Sequence, residues 1–326
     1  MSQELKIAML GPRGVGKTSL LTAMYEQFET TIGRTNLQLT PDLESAAILQ
    51  ERLGELKGLL ENEDFEAKGD IEVKGGIQGD ETPRSFIFDL GKKGAKPSLR
   101  LHFQDYPGGY LVAKSTPEQK KFVENLLAES VAVLIAIDAP ALMEKDGKWH
   151  DAINRPQQIT DLFKTVYQSP SPRLVIFAPV RCEKYLKDAK STNDLLKRVK
   201  DGYANLLKLF NSDALFSSVA TVVTPVQTLG SVVFNNIEVI DNTPHFHFRA
   251  TSYNPKYSPQ DSEQPLRYLL RFLLKIQFEN RGILGFVRDW FGWDEYLKQA
   301  ARQAANGCKS INGFAVLQGE KLLNIE

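Results

Sequence analysis

The chain has 326 residues, 42% hydrophobic and 25% charged, a globular composition that excludes a disordered or fibrous protein. Forty Lys and Arg balance forty Asp and Glu, which leaves no overall basic field to collect nucleic acid or acidic lipid nonspecifically. Two cysteines, Cys182 and Cys308, in no metal-type spacing exclude a disulfide scaffold and argue against a zinc site.

Residues 5–10 form a short apolar run that stops at Gly11-Pro12-Arg13-Gly14, and Leu20, Leu21, Met24 and Phe28 then recur at helical spacing. The order is strand, glycine loop, helix. From 41 to 70 the pattern turns helical and acidic, with Leu49, Leu53, Leu56 and Leu60 on one side, and predicts an inserted helix with a solvated polar face. Residues 71–74, 85–90 and 99–103, separated by glycine-containing turns, read as antiparallel strands. A helix over 119–129 leads into 131–138, an apolar run without alternation, as expected of a strand covered on both faces. Its seven consecutive apolar residues, 131–137, fall far short of the roughly 20 that a membrane span needs. With no basic leader at the start of the chain, a cytoplasmic protein without a transmembrane segment is expected.

Helical stretches over 156–168 and 193–210 flank a second buried strand at 174–180, and a third follows at 219–224. Buried strands separated by helices predict a parallel, doubly wound sheet. Beyond Gly230, residues 232–240 and 245–249 suggest extra strands and 252–264 a loop. A long helix then carries Leu266, Leu269, Leu270, Leu273, Leu274 and Phe278, with Arg267, Arg271 and Lys275 as a basic row on another face. Phe286, Trp290, Phe291 and Trp293 cluster over 282–296 and are best explained as a cap on the core. His245 and His247 share one face of their strand, and a partly buried strand explains them better than a metal site.

Gly11-Pro12-Arg13-Gly14-Val15-Gly16-Lys17-Thr18 matches GxxxxGK[ST] at every required position, between a strand and a helix. The glycines let backbone N–H groups turn onto phosphate oxygens, and the helix, entered through Ser19, adds the positive end of its dipole. Lys17 reaches the terminal phosphates, and Thr18 ligates magnesium. An ordinary tight turn has no need for Lys and Thr together. A magnesium-bound triphosphate also needs a carboxylate at the tip of another strand, and Asp105 supplies it while opening a DxxG pattern in which Gly108 presents its N–H to the γ-phosphate.

With these motifs the sequence resembles the P-loop GTPases of the TRAFAC and Ras-like class over roughly residues 5–230. More narrowly it is similar to bacterial double-GTPase domain proteins, on the further strength of residues 179–185 and 224–230. The resemblance implies an α/β, three-layer P-loop NTPase fold whose mostly parallel sheet has one antiparallel strand. It implies a GTPase-like domain at 1–230 with a helical and β insert at 41–97 between the switches, and a helical extension at 231–326 packed on the same domain. It also implies magnesium, GTP or GDP as ligand, and a protein effector, with no nucleic-acid partner.

Several positions depart from the class. Where NKxD is usual the chain has Val180-Arg181-Cys182-Glu183; Glu183 is the candidate acceptor for the base edge and Arg181 the candidate for its face, or the pair is an exposed strand end. Thr224 to Thr228, including Gln227, follow the next buried strand, in the place of the class's second base loop, or are turn residues. The water-orienting Gln that commonly follows DxxG is replaced by Gly109 and Tyr110, so intrinsic hydrolysis is expected to be slow unless a partner residue or Gln104 completes the site. Thr35 has the offset from Lys17 expected of the switch threonine that ligates magnesium, with Thr30, Thr31 and Thr40 as competitors. Two functions follow from different classes: a guanine-nucleotide switch with slow magnesium-dependent hydrolysis, or a non-hydrolysing nucleotide-binding scaffold, with relaxed base specificity open in either case.

Overall fold

The computed structural model describes residues 3–31, 37–61, 71–72, 83–107, 110, 115–168, 171–241, 243–278 and 295–325. Eight strands form the main sheet: β1 (Gln3–Leu10), β2 (Leu37–Pro41), β4 (Arg84–Lys92), β5 (Leu99–Asp105), β6 (Ala132–Asp138), β7 (Arg173–Val180), β8 (Val219–Val223) and β11 (Ala315–Gln318). Their order is β11-β8-β7-β6-β1-β5-β4-β2. The five central strands, β8 to β5 in that order, run parallel; β4 runs antiparallel to β5, and β11 antiparallel to β8.

Two faces of this sheet bury two cores, which is the three-layer α/β fold the sequence predicts. Along β6, Ala132, Leu134 and Ala136 enter one core and Val133, Ile135 and Ile137 the other, the alternation a strand imposes when both faces are covered. The first core is closed by α1 (Lys17–Thr31), α2 (Leu43–Leu60), α9 (Gln264–Phe278) and α10 (Glu295–Asn306). The second is closed by α3 (Pro117–Glu129), α6 (Pro156–Val166), α7 (Ala189–Gly202) and α8 (Ala204–Phe210). Two short helices come after β6, α4 (Ala139–Met143) directly and α5 (His150–Asn154) beyond a 3-10 turn. The helix expected in the insert is α2; the Asp42 side chain caps it by accepting from the Ser45 N–H at 2.8 Å, and Leu49, Leu56 and Leu60 are buried.

Three particulars differ from expectation. Residues 71–74 do not join the strands at 85–90 and 99–103: β3 (Ile71–Glu72) instead pairs with β10 (Thr243–Ala250), which with β9 (Val232–Ile240) makes a separate three-stranded sheet. That sheet packs Phe234, Phe246 and Phe248 with Leu60 and Ala141. β2, a five-residue strand the sequence reading did not assign, forms the edge beyond β4. β11 adds a second strand against the parallel direction. In the basic row of α9, Arg267 is buried, donating to the Ala304 carbonyl at 2.6 Å and pairing with Glu263, and Arg271 donates to the Leu323 carbonyl at 2.5 Å. The aromatic residues Phe286, Trp290, Phe291 and Trp293 lie outside the described residues. His245 and His247 do lie on a strand, and His247 Nε2 is 3.3 Å from Glu238 on β9.

Candidate functional site

The parallel pairing of β1 with β5 sets Met9 against Asp105, so the carboxylate emerges beside the loop that follows β1. The loop closes by Val15 N–H donating to the Pro12 carbonyl at 3.4 Å, and α1 starts with Leu20 N–H donating to Gly16 at 2.8 Å. Gly16 has φ +97°, a conformation side-chain-bearing residues rarely adopt. Val15 is buried beneath the loop while Arg13 points to solvent. Gly11, Pro12, Arg13, Gly14, Val15, Gly16, Lys17, Thr18 and Ser19 thus stand as one strand–loop–helix unit, the expected context for phosphate binding.

Lys17 is only 8% exposed, with Nζ 3.3 Å from the Gly11 carbonyl oxygen and 3.4 Å from Asp105 Oδ1. Thr18 Oγ1 donates to Asp105 Oδ2 at 3.2 Å. A hydroxyl and a carboxylate oxygen this close are a hard-oxygen donor set that suits magnesium, which takes few protein ligands and keeps water and phosphate oxygens for the rest of its shell. Tyr106 continues from Asp105 into the core, its ring centroid 5.7 Å from Lys17 Nζ, and burial raises its phenol far above the ordinary value. Thr35 and Gly108 lie outside the described residues.

At the other end of the loop, Arg181 stands just after β7 with φ +62°. Its Nη2 donates to the Gly14 carbonyl and its Nη1 to Asp138 Oδ2, both at 2.7 Å, while its guanidinium lies over the Phe248 ring. Both arms of the fork are therefore spent, one on the loop and one on Asp138. Asp138, at the tip of β6, is buried and also caps α4 by accepting from Ala141 N–H. Sequence reasoning missed Asp138; the signal was an acid closing an otherwise apolar strand.

Glu183 is buried, and its Oε1 accepts the N–H groups of Leu229 at 2.9 Å and Gly230 at 3.1 Å. Burial raises its carboxyl above the usual range, against the lowering effect of those amides. Thr224 is fully buried, its N–H donating to Phe177, and Gln227 exchanges backbone bonds with Gln260 while its side chain donates to Gln260 Oε1 at 3.0 Å. The structure thus brings Arg181, Glu183 and the 224–230 loop to one corner, where these contacts are internal. A segment not foreseen, 258–262, buttresses that corner: Ser258 N–H donates to Leu229, and Ser262 N–H and hydroxyl bind Gln27 of α1. Among the described residues no group of three or more His, Cys, Asp or Glu gathers as a metal site, and no helix is long and apolar enough to cross a membrane.

Strand order, the loop between β1 and α1, and the carboxylate at the tip of β5 together define the P-loop nucleoside triphosphatase fold. No family model and no curated protein matches the chain. Among solved structures it is similar to the Ski7 GTPase-like domain of S. cerevisiae bound to GTP, at 14% identity and TM-score 0.41, over 71% of this chain and 44% of that one. It is also similar to the SRb-GTP/SRX signal recognition particle receptor complex of Chaetomium thermophilum, at 15% identity and TM-score 0.35, over 71% and 93% of the two chains. Era in complex with MgGDPNP and nucleotides of 16S ribosomal RNA is similar at 12% identity and TM-score 0.34, over 75% and 76%. The chain spans less than half the length of the Ski7 structure it matches.

Proposed function

We propose that the protein is a guanine-nucleotide-binding switch of the TRAFAC and Ras-like class, with slow magnesium-dependent GTP hydrolysis. Residues 1–230 form the nucleotide-binding domain, 41–97 the insert between the switches and 231–326 the extension. The observation that carries this is the convergence of Lys17, Thr18 and Asp105 at the mouth of a glycine loop, with a hydroxyl–carboxylate distance of 3.2 Å.

In this reading, loop amides and Lys17 bind the β- and γ-phosphates, and Thr18, Asp105 and Thr35 hold magnesium. Bound magnesium neutralises charge on the phosphate oxygens. Lys17 exchanges Gly11 and Asp105 for the terminal phosphates, Gly108 presents its N–H to the γ-phosphate, and Arg181, Glu183 and the 224–230 loop frame the base. Hydrolysis is slow because no glutamine follows DxxG. Loss of the γ-phosphate releases Thr35 and Gly108, and the insert between them passes the change to a protein effector.

The test is GTP turnover in magnesium by wild type and Lys17→Ala. Slow turnover, lost on removal of magnesium and in the variant, is expected; turnover surviving in Lys17→Ala overturns the assignment. A second reading, a P-loop nucleotide-binding scaffold with relaxed base choice, is favoured by Glu183 already holding the Leu229 and Gly230 amides, and nucleotide binding without turnover is the result that selects it.

A further inference from the structure

A polar chain, buried at its centre, runs from the phosphate loop to the helices of the second core. It begins at the Gly14 carbonyl, held by Arg181, which in turn holds Asp138. Asn154, at the end of α5, grips the Asp138 backbone on both sides: its Oδ1 accepts the Asp138 N–H at 2.8 Å and its Nδ2 donates to the Asp138 carbonyl at 3.1 Å. The second Nδ2 hydrogen is directed to His150 Nδ1 at 3.1 Å, and His150 Nε2 lies 3.3 Å from the Gly202 carbonyl oxygen. Asp138, Asn154 and His150 are all at least nine-tenths buried.

The two backbone bonds decide the protonation state. They fix which end of the Asn154 amide faces His150, because turning it over would set N–H against N–H and oxygen against oxygen at Asp138. Nδ1 must therefore accept, and the single ring proton sits on Nε2, facing Gly202. A second proton on Nδ1 would confront the Asn154 amide donor. Burial already disfavours the imidazolium. The charged or titratable groups around the ring do not offset this: Asp151 is its exposed neighbour on α5, the Tyr203 phenol stays neutral, Arg198 is paired to Asp146 at 2.7 Å, and Asp138 is reached only through Asn154.

We propose that Asn154 and His150 are positioning residues for the nucleotide site, keeping Arg181 on the phosphate loop, and that protonation of His150 loosens this hold and lowers nucleotide affinity. The proposal rests on the phosphate-site reading above. No member of the pair touches the phosphate loop; both act through Asp138 and Arg181.

The experiment measures GDP affinity in magnesium from pH 7.5 to 5 for wild type and His150→Gln, with the melting transition followed at each pH. Phosphate ionisation of the ligand affects both proteins alike, so the ratio of their Kd values isolates the histidine. The wild-type Kd is expected to rise at least about threefold more than that of His150→Gln over this range. A ratio independent of pH, with both proteins folded, overturns the proposal. Gly202→Ala gives a second route: its Cβ would stand 2.6 Å from His150 Nε2, and weakened GDP binding at pH 7.5 is expected, whereas unchanged binding overturns the proposal. Absence of GDP binding by wild type at pH 7.5 removes the phosphate-site reading itself, and the inference with it.

Discussion

The Thr18 hydroxyl lies 3.2 Å from Asp105 Oδ2 across 87 residues of sequence. The contact exists because β1 and β5 are parallel neighbours in register, so the loop after one meets the side chain ending the other. Asp105→Asn keeps the size of the side chain and removes its charge, weakening a shared hold on magnesium. Nucleotide affinity in the variant is expected to lose most of its magnesium dependence, with binding in magnesium and in EDTA differing by less than about threefold. Parallel titrations of wild type and variant check this.

Arg181, half-buried, and Asp138, buried, form an ion pair whose partners come from adjacent strand tips. Arg181→Ala leaves the Asp138 carboxylate buried without its cation, and a loss of about 3 kcal/mol in unfolding free energy is expected. Arg181→Lys restores the charge but not the fork that bridges Gly14 and Asp138, and should recover only part of the stability. Urea denaturation of the three proteins measures both effects.

Gly230 has φ +74°, and a Cβ added there would stand 1.8 Å from the Ser258 carbonyl oxygen. Its N–H is also one of the two amides held by Glu183. Gly230→Ala should therefore destabilise the fold by roughly 2–4 kcal/mol, read as a lower denaturation midpoint. An unchanged midpoint would mean that the 224–230 loop and segment 258–262 are not in contact.

Burial of Glu183 raises its carboxyl in the folded state. The sign follows from linkage: the folded protein holds this proton more tightly than the unfolded chain, so stability falls as pH rises from the ordinary carboxylate range through the raised value. Glu183→Gln keeps an acceptor for the Leu229 and Gly230 amides and removes that cost. The variant is expected to be more stable than wild type at pH 7, with the difference shrinking toward acid pH as wild-type Glu183 takes up its proton. Melting temperatures over pH 4–8, an interval that starts near the ordinary carboxylate value of about 4.3 and extends above it, test this.

Much of the architecture is legible because burial on two faces leaves a plain mark. The apolar runs ending in Asp138 and Val180 have no polar alternation, and the structure covers both faces of each. The phosphate loop is legible because its chemistry is local, all within residues 11–18 and their flanks. What could not be read is non-local. β2 is a short edge strand with only two of its five residues buried, and β3 finds its partner far along the chain in β10. The burial of Arg267 could not be read, because a helical repeat cannot show that α10 will cover it. The pairing of Arg181 with Asp138 spans 43 residues and that of Ser262 with Gln27 spans 235, distances over which spacing carries no information.

The most direct test of guanine-nucleotide binding at the phosphate loop is titration of nucleotide-free wild-type protein with GTP and with ATP in magnesium. The account predicts that both bind and that GTP binds at least about tenfold more tightly, a difference of about 1.4 kcal/mol. Equal affinity for the two would contradict guanine recognition at the Arg181 and Glu183 corner, and binding of neither would contradict the site itself.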